Sequence, residues 1–170
     1  MCLEVRAVRK PAMDFRPAEL ENFPGYFIRR LQQIAVAVFM EEAQPWGVTP
    51  VQFAALSAVI RQPGVDQRSL ARLIGFDFST TGSVIDRLQA RGLVERRGSP
   101  KDRRVRLLYA TSEGERLLKD AEPAVLRAQK RMLDPLPEDR RAQFMEMLTF
   151  LIHENNELAR APGPIVAREE

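Results

Sequence analysis

The residues able to do chemistry in this chain are arginines and hydroxyls rather than nucleophiles or metal ligands. The run Arg97-Gly98-Ser99-Pro100-Lys101-Asp102-Arg103-Arg104 sets four cations in a turn-rich loop. Guanidinium groups suit phosphates and a narrow, electronegative minor groove. Just upstream, Ser79, Thr80, Thr81, Ser83 and Arg87 lie within nine residues. Short hydroxyls near the start of a helix suit phosphates and base edges, and Arg87 shares their outward face. From position 61 to 110 the chain carries 11 basic and 5 acidic side chains, while the other 120 residues carry 15 and 18. The overall charge of +3 therefore hides a basic segment in an acidic remainder. That is the footprint of a surface that meets phosphates.

Catalytic chemistry is poorly supplied. There is one histidine, His153, and one cysteine, Cys2. A Ser-His-Asp triad, a zinc-bound water or a Cys-His pair would need His153 in a cleft with its partners, and it falls instead in an apolar helical repeat. No enzyme, no catalytic residue, no metal and no cofactor is expected. A single cysteine forms no internal disulfide.

The elements that must position these residues are mostly helical. Leu20, Phe23, Phe27, Leu31, Ile34 and Val38 recur at helical steps, so a long helix is expected from Ala18 to Ala43, with Pro24-Gly25 able to break or reset its first turn. Thr49-Pro50 is a helix start, hydroxyl cap then proline. That helix should run to Arg61. Asp66 should cap a third helix that Gly75 ends. A fourth follows from about Ser79 to Ala90, capped by Ser79 or Thr80, with Val84, Ile85 and Leu88 inward. Leu93 to Arg96 and Val105 to Ala110 read as two antiparallel strands flanking the basic loop. Asp102, odd in such a loop, reads as a buttress that ion-pairs with Arg103 or Arg104.

Thr111 starts another helix reaching about Leu133, with Pro123 expected to bend it. The last helix, Glu138 to Ala159, repeats Phe144, Leu151 and Leu158 at sevens, a seam spacing. The fold class is therefore mainly α, a winged helix-turn-helix with long N- and C-terminal dimerisation helices. Residues 1–16 read as a disordered tail, or a DNA-backbone arm. Residues 17–160 read as one unit: a DNA-binding lobe at 49–111 with dimerisation helices at 17–45 and 112–160. Residues 161–170 read as a second tail.

The partners expected are double-stranded DNA and a second copy of the chain, since a two-fold dimer reads two half-sites a helical turn apart. An apolar run of membrane-spanning length and a leader h-region are both missing from the sequence, so the expected compartment is the cytoplasm. A winged helix used for protein contact is the competing reading, and the basic wing weighs against it.

These residues resemble the multiple antibiotic resistance regulator (MarR) family over roughly Pro24 to Ala159. The resemblance rests on Gly47-Val48-Thr49-Pro50-Val51-Gln52-Phe53, on Val84-Ile85-Asp86-Arg87-Leu88 with Arg91-Gly92-Leu93-Val94, and on Asp102-Arg103-Arg104 with Thr111 and Gly114. Ala110 departs from a common leucine, and Gly82 and Ser83 replace bulkier residues. The resemblance implies a ligand-responsive homodimeric transcription factor, usually a repressor. Ser79, Thr80, Thr81, Ser83 and Arg87 would enter the major groove, with Arg103 and Arg104 in the minor groove.

It also implies a small aromatic carboxylate or phenolic effector. The Tyr26-to-Leu31 run is similar to repressors of aromatic-acid catabolism, including the nicotinate branch. Arg29 or Arg30, otherwise solvated, would clamp the carboxylate. Trp46, Phe53 and Tyr26 would pack on the ring, and His153, unless purely structural, would add a hydrogen bond. Cys2, in the tail, is not expected to act as a redox sensor. A ligand-independent regulator is the further alternative.

Overall fold

The computed structural model describes residues 22–100, 102 and 104–159. Expectations placed on residues 1–21, which include the first tail and Cys2, on Arg103 and on the 161–170 tail lie outside them. Among these residues six α-helices and a small sheet follow in the order α1 (Pro24–Glu42), α2 (Pro50–Arg61), β1 (Val65–Asp66), α3 (Gln67–Ile74), α4 (Phe78–Ala90), β2 (Val94–Gly98), β3 (Arg106–Ala110), α5 (Ser112–Leu133) and α6 (Glu138–Glu154). This is the mainly α, winged-helix arrangement expected. Among the described residues no helix is long and apolar enough to cross a membrane.

Local chemistry sets most boundaries. Pro24 opens α1 at its first helical position, where its missing N–H costs nothing. Thr49 and Gln52 form a capping box: the Gln52 N–H donates to Thr49 Oγ1 at 3.3 Å and the Thr49 N–H to Gln52 Oε1 at 3.0 Å. Asp66 accepts the N–H groups of Arg68 and Ser69 at 2.9 and 3.0 Å, opening α3. Gly75 ends α3 at φ 69°, a left-handed conformation glycine adopts without strain. Pro123 lies within α5, which stays helical through it. The final helix is shorter than expected, stopping at Glu154 before a 3-10 turn over Asn156–Leu158.

The sheet holds one more strand than the sequence suggested. β3 is central, in the order β1-β3-β2, with Val94 opposite Ala110 and Gly98 opposite Arg106 on one side and Val65 opposite Leu108 on the other. Leu56 and Val59 of α2, Leu70 of α3, Ile85 and Leu88 of α4, and Leu93 and Leu108 at the sheet are buried together. Each such side chain contributes about 1.5–3 kcal/mol of burial. A second cluster, Phe39, Ala43 and Val48, joins the end of α1 to α2 and α5.

The two parts meet where α5 begins. Thr111 caps α5 by accepting the Gly114 N–H at 3.1 Å, and its own hydroxyl donates to the Gly92 carbonyl at 2.7 Å. Gly114 is buried against Leu93, where a Cβ would lie 2.2 Å from the carbonyl oxygen. A backbone atom cannot swing aside as a side-chain tip can. Gly114→Ala should therefore destabilise the fold by about 1–3 kcal/mol or more. A chemical-denaturation midpoint equal to wild type would show that the joint is looser than this contact implies.

Candidate nucleic-acid interface

The exposed end of α4 is organised by a residue the sequence reading passed over. Asp77, not Ser79 or Thr80, is the N-cap. Its carboxylate accepts the Thr80 N–H at 2.8 Å, the Thr80 hydroxyl at 2.6 Å and the Ser79 hydroxyl at 2.7 Å. These contacts, the Thr80 hydroxyl foremost, hold the Asp77 carboxyl well below the usual carboxylate range. An ionised carboxylate only accepts, so both hydroxyls must donate, and each has a single proton. Ser79 and Thr80 thus point lone pairs, not protons, at whatever approaches. A phosphate oxygen needs a donor, so the expected phosphate contact from these two hydroxyls is not available in this arrangement.

Thr81 is also corrected. It is fully buried, and its hydroxyl donates to the Asp77 carbonyl at 2.8 Å. It shares the inner face with Val84, Ile85 and Leu88 and cannot reach a duplex. Ser83 and Arg87 are exposed on the outer face, as expected. Asp86 on that face pairs with Arg96 of β2 at 2.5 Å, and Gln89 accepts from the same guanidinium. This ties the helix to the wing strand. Gln67, at the start of α3, donates to the Phe78 carbonyl at 3.0 Å and lies where a Cβ on Gly82 would come within 2.9 Å of it. Gly82 thus leaves room for the Gln67 amide to hold that bond.

The wing turn is braced through its backbone. Asp102 accepts the Arg104 N–H at 2.8 Å, and its carbonyl accepts the Val105 N–H at 3.0 Å. The buttress anticipated for Asp102 acts on Arg104, but by fixing its peptide. Arg104 is exposed at the tip, and Arg103 lies outside the described residues. Arg97 is committed elsewhere: it bonds Glu95 at 2.9 Å and stacks 4.4 Å from the Tyr109 ring centroid.

The candidate effector residues fall into separate groups. Trp46 and Phe53 pack on the Phe39, Ala43 and Val48 cluster with Leu117 and Val125 of α5, and the Phe39 and Phe53 rings meet edge to face at 6.0 Å. Tyr26 sits at the other end of α1, half-buried, with the Arg29 guanidinium 5.6 Å from its ring centroid. The 13 residues from Tyr26 to Phe39 span about 20 Å of helix axis. Arg30 is exposed. His153 is exposed on α6, its Nδ1 3.2 Å from Glu154, rather than buried. One protomer therefore joins Trp46 with Phe53, and Tyr26 with Arg29, but does not join the two pairs.

Arg91 links the aromatic group to α4. Its guanidinium donates to the Gly47 carbonyl at 2.7 Å and the Trp46 carbonyl at 3.0 Å. Its partners lie more than forty residues away, so no local signal marks it. Asp77 carried a local signal, since an Asp directly before an apolar helical repeat is a capping residue.

Comparison with known proteins places this geometry among regulators. A family model described as the MarR family matches residues 46–105. A proposed transcriptional regulatory protein for the hcr operon of Thauera aromatica is 31% identical over 78% of this chain and 81% of its own. The PcaV transcriptional regulator of Streptomyces coelicolor, solved with its natural ligand, is 34% identical with TM-score 0.70, over 78% of this chain and 93% of that one. BpsR of Bordetella bronchiseptica, whose DNA binding is regulated by 6-hydroxynicotinic acid, is 26% identical with TM-score 0.73, over 78% and 94%. These relatives are transcriptional regulators, not enzymes.

The exposed wing arginine gives a direct test. Arg104→Ala should weaken duplex binding and flatten the slope of log affinity against log salt by about 1. An unchanged slope would take Arg104 out of the interface.

Proposed function

The chain belongs to the MarR family of DNA-binding transcriptional regulators, and we propose that it is a homodimeric repressor released from its operator by a small aromatic acid or phenol. One observation carries this reading: the turn that holds Trp46 of the aromatic cluster is also the turn Arg91 grips from the end of α4. A ligand that displaces the Trp46 backbone displaces the recognition helix with it. Ser83 and Arg87 serve the major groove, Ser79 and Thr80 act there as acceptors, and Arg103 and Arg104 serve the minor groove. Arg29 or Arg30 binds the carboxylate, and Trp46, Phe53 and Tyr26 bind the ring. His153, being exposed on α6, contributes only if a second copy covers it.

The ligand must bind one spacing of the two recognition helices better than the other, because equal affinity for both shifts nothing. The ligand-bound PcaV supports control by a bound effector, and the 6-hydroxynicotinic acid regulation of BpsR supports an aromatic acid as its class, with a nicotinate-type compound among the first to try. Support for the second copy comes from α6, which buries none of its residues within the protomer and exposes Phe150, Leu151 and Ile152.

Fluorescence anisotropy with a duplex from upstream of the protein's own gene tests the reading, at two salt concentrations and with a panel of benzoate-type and nicotinate-type acids. The expected result is tight, salt-dependent binding reversed by one compound. Binding that no compound reverses would favour a ligand-independent regulator. Binding no tighter than to random DNA would favour a wing that meets protein. For the dimer, Leu151→Glu should give a monomer in sedimentation, and a variant that stays dimeric would remove α6 from the seam.

A further inference from the structure

The first turn of α4 presents an aromatic ring to solvent. Phe78, the first residue of the helix, is 56% exposed, and Phe76 in the preceding turn is 40% exposed. The surroundings are otherwise polar: the Asp77 carboxylate, the Ser79 and Thr80 hydroxyls, and Gln67 bonded to the Phe78 carbonyl. A large ring left in water at the leading end of a recognition helix forgoes the burial that its type favours. It stands on the leading turn of the helix, beside Ser79, on the element whose outer face carries Ser83 and Arg87, and a duplex seated against that end would cover it.

The chemistry of the groove narrows the partner. The base edges in a major groove are donors and acceptors, with one apolar group among them, the 5-methyl of thymine. A backbone phosphate fits poorly, because the ionised Asp77 occupies the helix N-terminus where an anion would otherwise sit. The neighbouring hydroxyls, their protons committed to Asp77, are acceptors, and in this groove the complementary donors are the amino groups of adenine and cytosine. A ring for a methyl and lone pairs for an amine together describe a surface suited to a T·A pair.

We propose that Phe78 is a specificity-determining residue that packs on the 5-methyl group of a thymine in each half-site. This rests on α4 being the recognition helix, as assigned above. Phe78 contacts a base through its ring edge or face and needs no proton or counter-charge, so its contribution is indifferent to salt. Arg104 and Arg87 supply the salt-dependent part, and the two contributions separate experimentally.

The test uses the full-length chain. Duplexes are enriched by it from a random library, and each thymine of the enriched sequence is then replaced in turn by uracil, which removes the methyl alone. Wild type is expected to lose about fourfold in affinity at one uracil position per half-site, the weight of one buried methyl group. Phe78→Ala should bind the thymine duplex more weakly, with an unchanged salt slope, and should not distinguish uracil from thymine at that position. Phe78→Leu should keep part of the uracil penalty, which separates a lost contact from a damaged fold. Wild-type binding that ignores every uracil, an enriched sequence without thymine in the half-site, or a Phe78→Ala variant that keeps the full penalty would each overturn the inference while leaving the DNA-binding assignment in place. Absence of any salt-dependent enrichment would overturn both.

Discussion

The backbone of Gly92 and Leu93 is pressed against the first turn of α5, and the working parts of the molecule hang from that joint. Gly92, at φ 70°, turns the chain out of α4 and toward β2. The Leu93 carbonyl accepts the Thr111 N–H at 3.1 Å, and the Gly92 carbonyl accepts the Thr111 hydroxyl. Gly114 presents only hydrogen to the Leu93 carbonyl. One short stretch thus ends the recognition helix, begins the wing sheet and seats the long helix. No residue there has room to slide, because the contact is backbone against backbone. α4 and the first turn of α5 must move as one body, so any change in the placing of α4 has to come from the tilt of the whole lobe.

Arg91 supplies a second strut from the same end of α4. Its two hydrogen bonds reach the turn between α1 and α2, and that turn is fixed by Gly47 in a left-handed conformation, φ 59°. The guanidinium lies on the surface, so the bonds are charge-assisted but face competition from water. They therefore position more than they stabilise. With one strut to α5 and another to the end of α1, the orientation of α4 is set by two points on the long helices. The aromatic cluster of Phe39, Trp46 and Phe53 lies between those points. A change in how that cluster is filled would be felt at both, which favours the proposed effector site here over one at the wing.

How much of this was legible depended on whether the determinant was local. The starts of α2, α3 and α5 were written in Thr49-Pro50, Asp66 and Thr111, because caps act over three residues. The start of α4 was misplaced because several candidate acceptors sit side by side in Asp77-Phe78-Ser79-Thr80. The carboxylate wins, since a full negative charge suits the positive end of a helix better than a hydroxyl does. That choice determines what the hydroxyls can do, so the error in the cap became an error in the chemistry assigned to Ser79 and Thr80. Thr81 was recoverable from spacing, standing three, four and seven residues before Val84, Ile85 and Leu88. β1 was not. It is two residues long, and only its pairing with β3 some forty residues later makes it a strand. Arg91 and Arg96 are alike in this: their types were plain and their partners were not.

The last helix shows the limit of reading one protomer. α6 is 17 residues long and buries none of them. In proteins most of a helix's stability comes from packing its apolar face rather than from its own hydrogen bonds. Phe150 and Leu151 are about half exposed and Ile152 is 68% exposed. Each would gain about 1–2 kcal/mol from burying what remains exposed. The helix therefore has more to gain from a second copy than from its own chain. If the proposed dimer covers it, α6 helicity and dimerisation become one equilibrium, and its position depends on protein concentration. The exposed face of α1, carrying Phe27, Arg29 and Ile34, also has apolar surface to gain from a partner. An effector site that draws on it would then be complete only in the dimer, so ligand sensing, like operator reading, would be a property of two chains.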